Sequence, residues 1–180
     1  MLDYQLFKGQ QLILDRVKET DIVEIVTWYE DEEFLRNLDA IPAFPKRETE
    51  IEKWINNNQH NTFTMAIRIN DTKKIIGYVE FDGILWNHRN SWMSIAIGGN
   101  NRGNGYGKEA LELALKFAFQ ELNLHRIQLT VFEYNHRAIS LYEKKGFKKE
   151  GSHREFLERD GKRYDMHLYG LLRHEWVGNQ

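Results

Sequence analysis

Asn101-Arg102-Gly103-Asn104-Gly105-Tyr106-Gly107-Lys108 decides what this chain folds into and what it binds. Ahead of it, Ser91 to Ile97 alternates as a strand, with Trp92, Ser94 and Ala96 on one face and Met93, Ile95 and Ile97 on the other. Behind it, Tyr106 to Leu122 carries Ala110, Leu111, Leu113, Ala114, Phe117 and Ala118 as a broad apolar helical face. Glycines at alternate positions let the backbone come close to a ligand and take positive φ. The helix that follows offers its free N–H groups and the positive end of its dipole. A pyrophosphate suits such a site. The spacing is not GxGxxG. Glu109 follows Lys108 where a P-loop needs Ser or Thr, and Arg102 stands where it needs glycine. Both common nucleotide loops are therefore excluded.

Upstream, Leu12 to Arg16 alternates as a first strand. Asp21 with Glu24 makes a capping box for a helix bearing Ile22, Ile25, Val26 and Trp28, and Thr49 with Glu52 makes another for a helix bearing Ile51, Trp54 and Ile55. Between them lie a polar stretch, Tyr29 to Arg36, and a loop holding both prolines, Pro42 and Pro45. Phe63 to Ile69 and Lys74 to Phe81 read as strands joined by a turn at Asn70-Asp71-Thr72-Lys73. Downstream, Ile127 to Phe132 is a strand, Asn135 caps a helix that ends at Gly146, and Phe156 to Leu171 is a hairpin around Asp160-Gly161. This order predicts an α/β (α+β) arrangement, a mixed but mostly antiparallel sheet flanked by helices, in one domain over residues 1–180.

Composition narrows the function. An apolar share of 41% in 180 residues supports a buried core. A net charge of −2 gives no basic surface for nucleic acid or an anionic membrane, so neither is expected as a partner. No apolar run approaches the roughly 20 residues of a membrane helix. Met1 to Gln10, with Asp3 and Lys8, has no leader-like apolar stretch, so a cytoplasmic location is expected. Cysteine is absent, which removes disulfides, thiolate metal ligands and a Cys nucleophile. The seven histidines are scattered without metal-ligand spacing, so no metal is expected.

Arg102-x-x-Gly105-x-Gly107 resembles the acetyl-CoA motif of the GNAT superfamily, and the chain is most similar to its RimJ/RimL-like branch. A second stretch, Asn135-x-x-Ala138-x-x-Leu141-Tyr142-x-x-x-Gly146-Phe147, resembles that family's downstream helix and its exit. The resemblance runs from about Leu12 to about Leu171 and implies a GNAT fold with Ser91–Ile97 and Ile127–Phe132 as two splayed central strands. It implies acetyl-CoA as donor, a small-molecule amine or a peptide N-terminus as acceptor, and direct transfer in a ternary complex. The missing Cys and the missing GxSxG elbow agree with a route that has no acyl-enzyme.

The resemblance also implies roles. Backbone N–H groups of Arg102, Gly103, Asn104, Gly105, Tyr106, Gly107 and Lys108 hold the pyrophosphate. The pantetheine arm runs along Ile95, Ala96 and Ile97, where a strand N–H steadies the oxyanion, and Asn135 bonds the arm. Tyr142 gives a proton to the leaving thiolate, against the alternative of a plain core tyrosine. Many family members carry a Glu early on the central strand. Here Arg89-Asn90-Ser91-Trp92 departs from that pattern. Glu80 is the substitute base, directly or through water, with His88 second; a plain exposed carboxylate is the other reading of Glu80. The helices that cover the acceptor site in the family carry Trp28, Tyr29 and Glu33 here, and Trp86 precedes the central strand. Aromatic and acidic groups together suit a cationic acceptor, although acidic runs are commonly just solvated. The competing function is a non-catalytic acyl-CoA sensor on the same fold. Exposed strands of such domains often pair, which keeps a homodimer open.

Overall fold

The computed structural model describes residues 4–57 and 59–176; Asp3, in the Met1 to Gln10 segment read above, lies outside them. The elements in chain order are β1 (Leu12–Arg16), α1 (Ile22–Trp28), α2 (Glu32–Leu38), α3 (Glu48–Ile55), β2 (Phe63–Ile69), β3 (Ile75–Leu85), β4 (Asn90–Ile97), α4 (Tyr106–Lys116), β5 (Arg126–Phe132), α5 (His136–Lys144), β6 (Lys148–Arg159) and β7 (Lys162–Leu172). They form a seven-stranded sheet of order β1-β2-β3-β4-β5-β7-β6. Its neighbours are antiparallel except β4 and β5, which are parallel. None of the described helices is long and apolar enough to cross a membrane.

Two cores sit on the two faces of the sheet. One packs α4 and α5 against it through Leu111, Leu115, Val79, Phe81, Leu129 and Tyr142. The other packs α1, α2 and α3 through Ile25, Trp28, Phe34, Ile51, Ala66 and Tyr78. Burial on both sides explains why β3 opens with an unbroken buried run, Ile75 to Val79, rather than a strict alternation. Glu109, in the first turn of α4, accepts from the N–H groups of Gln11 (2.8 Å) and Leu12 (3.1 Å), which pins β1 to that helix. The apolar face of α4 runs on through a π-helical turn at Phe117–Glu121, closed by Leu122 N–H donating to the Phe117 carbonyl at 3.0 Å.

The hairpin turn lies at Asp160-Gly161, where φ is 52° and 74°, as a two-residue turn of type I′ requires. Asn135 caps α5, its Oδ1 accepting from the Ala138 N–H at 3.2 Å. The other caps differ from expectation. Glu48 opens α3, and the Arg47 N–H donates to Glu50 at 2.9 Å, so the box sits ahead of Thr49 and Glu52. The polar stretch after Tyr29 is α2, whose Asp31 accepts from Glu33 and Phe34 N–H groups. Asp21 does not cap α1 through its side chain. Its carboxylate instead meets Arg68 of β2 in a two-pronged pair (2.6 and 2.9 Å) and accepts from the Lys18 N–H at 2.7 Å.

Arg68 and Asp21 are 3% and 6% exposed, so each is the other's counter-ion in a dry setting. Asp15 gives Arg68 a second carboxylate at 3.0 Å. Removing one partner of such a pair strands a buried charge. Asp21→Ala is expected to cost about 3 kcal/mol in urea unfolding, while Asp15→Ala at the more exposed partner costs well under half of that. Equal losses at the two positions would contradict the pairing.

Candidate active site

The site begins where a pair of strands gives up. β4 and β5 are in register only at Asn90↔Arg126, Ser91↔Ile127 and Trp92↔Gln128. Beyond Trp92 they part, β4 staying with β3 and β5 with β7. The hydrogen-bond phase of β4 says which groups face the gap. Gly98 N–H donates to the Ile76 carbonyl at 2.8 Å, so the even-numbered residues of β4 point their backbone groups at β3. On the other side, the Arg89 carbonyl accepts from Arg126 N–H at 3.2 Å, so the odd-numbered residues face β5. The N–H and C=O groups of Ile95 and Ile97 therefore open into the gap. Ala96, between them, gives its own to β3.

The gap is part of a cleft of about 640 Å³. Met93 to Ile97 form one wall and Thr130 to Phe132 the other. Asn135, Ala138, Leu141 and Tyr142 of α5 close it on one side, and Glu33, Phe34, Asn37 and Leu38 of α2 on the other. The Gly-rich loop forms its end, with Arg102, Gly103, Gly105, Gly107 and Lys108 lining it. Gly105 is the left-handed cap of α4, at φ 82°, and open space lies where its Cβ would be. Asn101 Nδ2 donates to the Gly98 carbonyl (3.1 Å) and Asn104 Nδ2 to the Asn101 carbonyl (3.2 Å), which shapes the approach. Tyr106 starts α4 itself. Free N–H groups, a helix N-terminus and open space above two glycines fit a pyrophosphate, and the strand edge fits an extended amide-bearing arm.

Tyr142 lies at the cleft wall, 7% exposed, its ring 5.6 Å from that of Phe147. Burial alone pushes its hydroxyl up to about 12, so the group is a protonated phenol at neutral pH. Arg102 does not point freely into the cleft. Its guanidinium pairs with Asp31 and lies 3.7 Å from Glu33, tying the loop to the start of α2. The other end of α2 is held as well: Arg36 pairs with Asp160 at 2.7 Å, and Tyr134 donates to the Arg36 carbonyl.

Several expected residues lie elsewhere. Trp28 is fully enclosed in the second core, directly under Gly98, where a Cβ would come within 2.2 Å of its ring. Tyr29 is 4% exposed, hydrogen-bonded to Tyr78 and covered by Lys46 at 4.6 Å from its ring. Trp86 packs edge-on against Phe63, outside the cleft lining. Glu80 is also outside the lining; its Oε2 accepts from Thr64 Oγ1 (2.7 Å) and Trp54 Nε1 (3.2 Å). Asp82 and Arg137, not singled out from sequence, do line the cleft. Asp82 was findable by alternation, two residues beyond Glu80 on the same face.

A family model for the acetyltransferase (GNAT) domain matches residues 11–148. The chain belongs to the GNAT acetyltransferase family. It is of the RimJ/RimL type and is an acetyl-CoA-dependent N-acetyltransferase. The SPbeta prophage-derived N-acetyltransferase YokL of Bacillus subtilis is 31% identical over 172 residues, 95% of each chain. Spermidine N(1)-acetyltransferase of Vibrio cholerae is 31% identical over 129 residues, 71% of this chain and 75% of that one. The crystal structure of the Vibrio cholerae spermidine N-acetyltransferase in complex with CoA and spermine superposes with a TM-score of 0.85 at 25% identity, covering 94% of this GNAT chain and 99% of that one.

Capping by Asn135 makes a local prediction. Asn135→Ala should cost about 1 kcal/mol of unfolding free energy, and Asn135→Ser should recover most of it. An Ala variant as stable as the parent would show that the cap contributes nothing.

Proposed function

We propose that this GNAT N-acetyltransferase moves the acetyl group of acetyl-CoA to a primary amine of a small cationic acceptor, a polyamine foremost, by direct attack in a ternary complex. The observation that carries this reading is the gap between β4 and β5, with the backbone of Ile95 and Ile97 facing it and the Gly103–Lys108 loop at its end. Acetyl-CoA supplies an activated acetyl thioester. The loop N–H groups from Gly103 to Gly107 take the phosphate end, with Lys108, whose own N–H donates to the Gly105 carbonyl at 3.2 Å, and Arg137 adding positive charge to the lining. The Ile95 and Ile97 groups pair with the extended arm, and one of these N–H groups steadies the oxyanion. Asn135, its Oδ1 engaged by the cap, still has its amide N–H groups for the arm.

Tyr142 is the proton donor in this reading. A phenol held near 12 is a weak acid, but it stands beside the departing thiolate in the same dry wall. The desolvation that keeps the phenol protonated also raises the basicity of that thiolate. The phenol keeps its proton and stays neutral at any pH below about 12, so no alkaline loss of rate arises from it in an ordinary assay range. A polyamine is favoured as acceptor because the cleft holds carboxylates, Glu33 and Asp82, together with the half-exposed Trp92. The likeness to spermidine acetyltransferase supports the same choice.

The test is release of CoA thiol from acetyl-CoA in the presence of spermidine, an aminoglycoside, amino acids and short peptides. The chain has no cysteine to add background. Release dependent on spermidine is the expected result; release with peptides alone would overturn the acceptor, and failure to bind acetyl-CoA would overturn the whole reading. Tyr142→Phe should lower kcat by about 10²-fold with unchanged affinity for acetyl-CoA. An unaltered kcat would remove Tyr142 from the chemistry.

A further inference from the structure

The cleft of a transferase that acts on alkyl amines needs a group to take the ammonium proton, because a free alkyl ammonium holds its proton to about pH 10.4. The start of β4 offers none: Asn90, Ser91 and Trp92 occupy it. Ser91 is also fully buried, its hydroxyl donating to backbone carbonyls of Asp82 and Trp92. The antiparallel register, however, sets Asp82 of β3 directly opposite Trp92. Residues opposite one another share a face, with Cβ atoms about 5 Å apart. A carboxylate on Asp82 thus reaches the same patch of cleft that a longer acid at position 92 would reach.

Three features separate Asp82 from the other acids nearby. It lines the cleft, whereas Glu80 does not. Glu80 is already bonded by Thr64 and Trp54, and Glu33 lies beside Arg102. Asp82 has no ion-pair partner among the described residues. We propose that Asp82 receives the ammonium group of the acceptor and takes its proton, with the Trp92 ring alongside as an apolar and cation-attracting wall. This rests on the transferase reading above.

Burial, with Glu80 as a lesser cause, raises the Asp82 carboxyl above its ordinary value, which makes it a better proton acceptor than a solvated aspartate. The other charged or titratable groups in the lining are Glu33, Arg102, Lys108, Arg137 and Tyr142. The loop carrying Arg102 and Lys108 lies beyond the Ile97 end of β4, five residues from Trp92, about 17 Å along the strand. Asp82 takes one proton from the ammonium and passes it to water. The free amine forms the C–N bond at the thioester carbon. Asp82 then takes the second N–H proton as the C–S bond breaks and the thiolate receives the Tyr142 proton. Proton exchange with water returns Asp82 to carboxylate and Tyr142 to phenol, leaving the amide, CoA thiol and one released proton.

The experiment compares the parent, Asp82→Asn and Asp82→Glu by kcat against pH, using spermidine and an α-amine acceptor of pKa about 8. Acetyl-CoA affinity by calorimetry reports folding and the donor site. Asp82→Asn should bind acetyl-CoA as the parent does. It should lose about 10²-fold or more in kcat with spermidine at pH 7, less with the α-amine, and regain rate as pH rises toward the amine pKa. Asp82→Glu should recover part of the loss. The parent, with a working carboxylate, should lose rate only as pH falls through the raised Asp82 value. Equal losses with both acceptors at every pH would mark a merely structural role and overturn the proposal, as would a parent-like kcat in Asp82→Asn. If Asp82→Asn fails to bind acetyl-CoA, Asp82→Glu carries the test: a parent-like pH profile identical for both acceptors overturns it, and a profile shifted with the new carboxyl supports it. A parent inactive with every amine would instead sink the transferase reading itself, and this proposal with it.

Discussion

The contact between β4 and β5 lasts three residue pairs, and the molecule is organised around what happens after it ends. Backbone N–H and C=O groups that leave water unpaired are expensive, about 1–3 kcal/mol each when buried. A sheet that opens along its middle exposes two such rows at once. β3 and β7 fix the far sides of the two strands, so neither can drift to find new partners. The groups on Ile95 and Ile97 are left for a guest with amides of its own, and strand addition is the geometry by which such a guest binds. The Gly-rich loop is useful only because it stands at the end of that opening.

The opening has a roof, and sequence-distant side chains hold it. α2 contributes Glu33, Phe34, Asn37 and Leu38 to the lining. Arg102 grips its first turn through Asp31, while Asp160 and Tyr134 grip its last through Arg36. Arg159 adds a bond from its guanidinium to the Asp39 carbonyl at 2.9 Å. A seven-residue helix has little stability alone, so its place depends on these ties and on Phe34 and Leu35 in the core beneath.

The parts of the site visible in sequence were those set by local chemistry. Glycine at positive φ before a helix, Asn135 as a cap and Asp160-Gly161 as a turn each follow from one residue's conformational range. What stayed hidden depended on pairing across the chain. Asp21 reads as a cap until Arg68, 47 residues away, claims its carboxylate. Trp28 and Tyr29 read as acceptor-site aromatics, yet both faces of this sheet are covered, and the core beneath α1, α2 and α3 takes from α1 what the pattern cannot assign. Asp82 shows the same limit more finely. Alternation puts it beside Glu80, but only the register with β4 sets it opposite Trp92, and that register breaks in a bulge just beyond, between Asp82 and Leu85. Asp31-Glu32-Glu33 reads as acceptor-site acid or as a solvated run, because nothing local announces that Arg102 pairs with Asp31.

The place of β7 in the sheet bears on the order in which the chain emerges during synthesis. β5 forms most of one cleft wall, but over Leu129 to Phe132 its sheet bonding comes from Met166 to Tyr169 alone. Those residues follow β5 by more than 30 positions. Until they leave the ribosome, β5 is a strand bare along both edges for that stretch, the kind of surface that pairs with whatever is near. The cleft is therefore among the last features of the molecule to become solid, long after the loop and helix that give it its signature have been made.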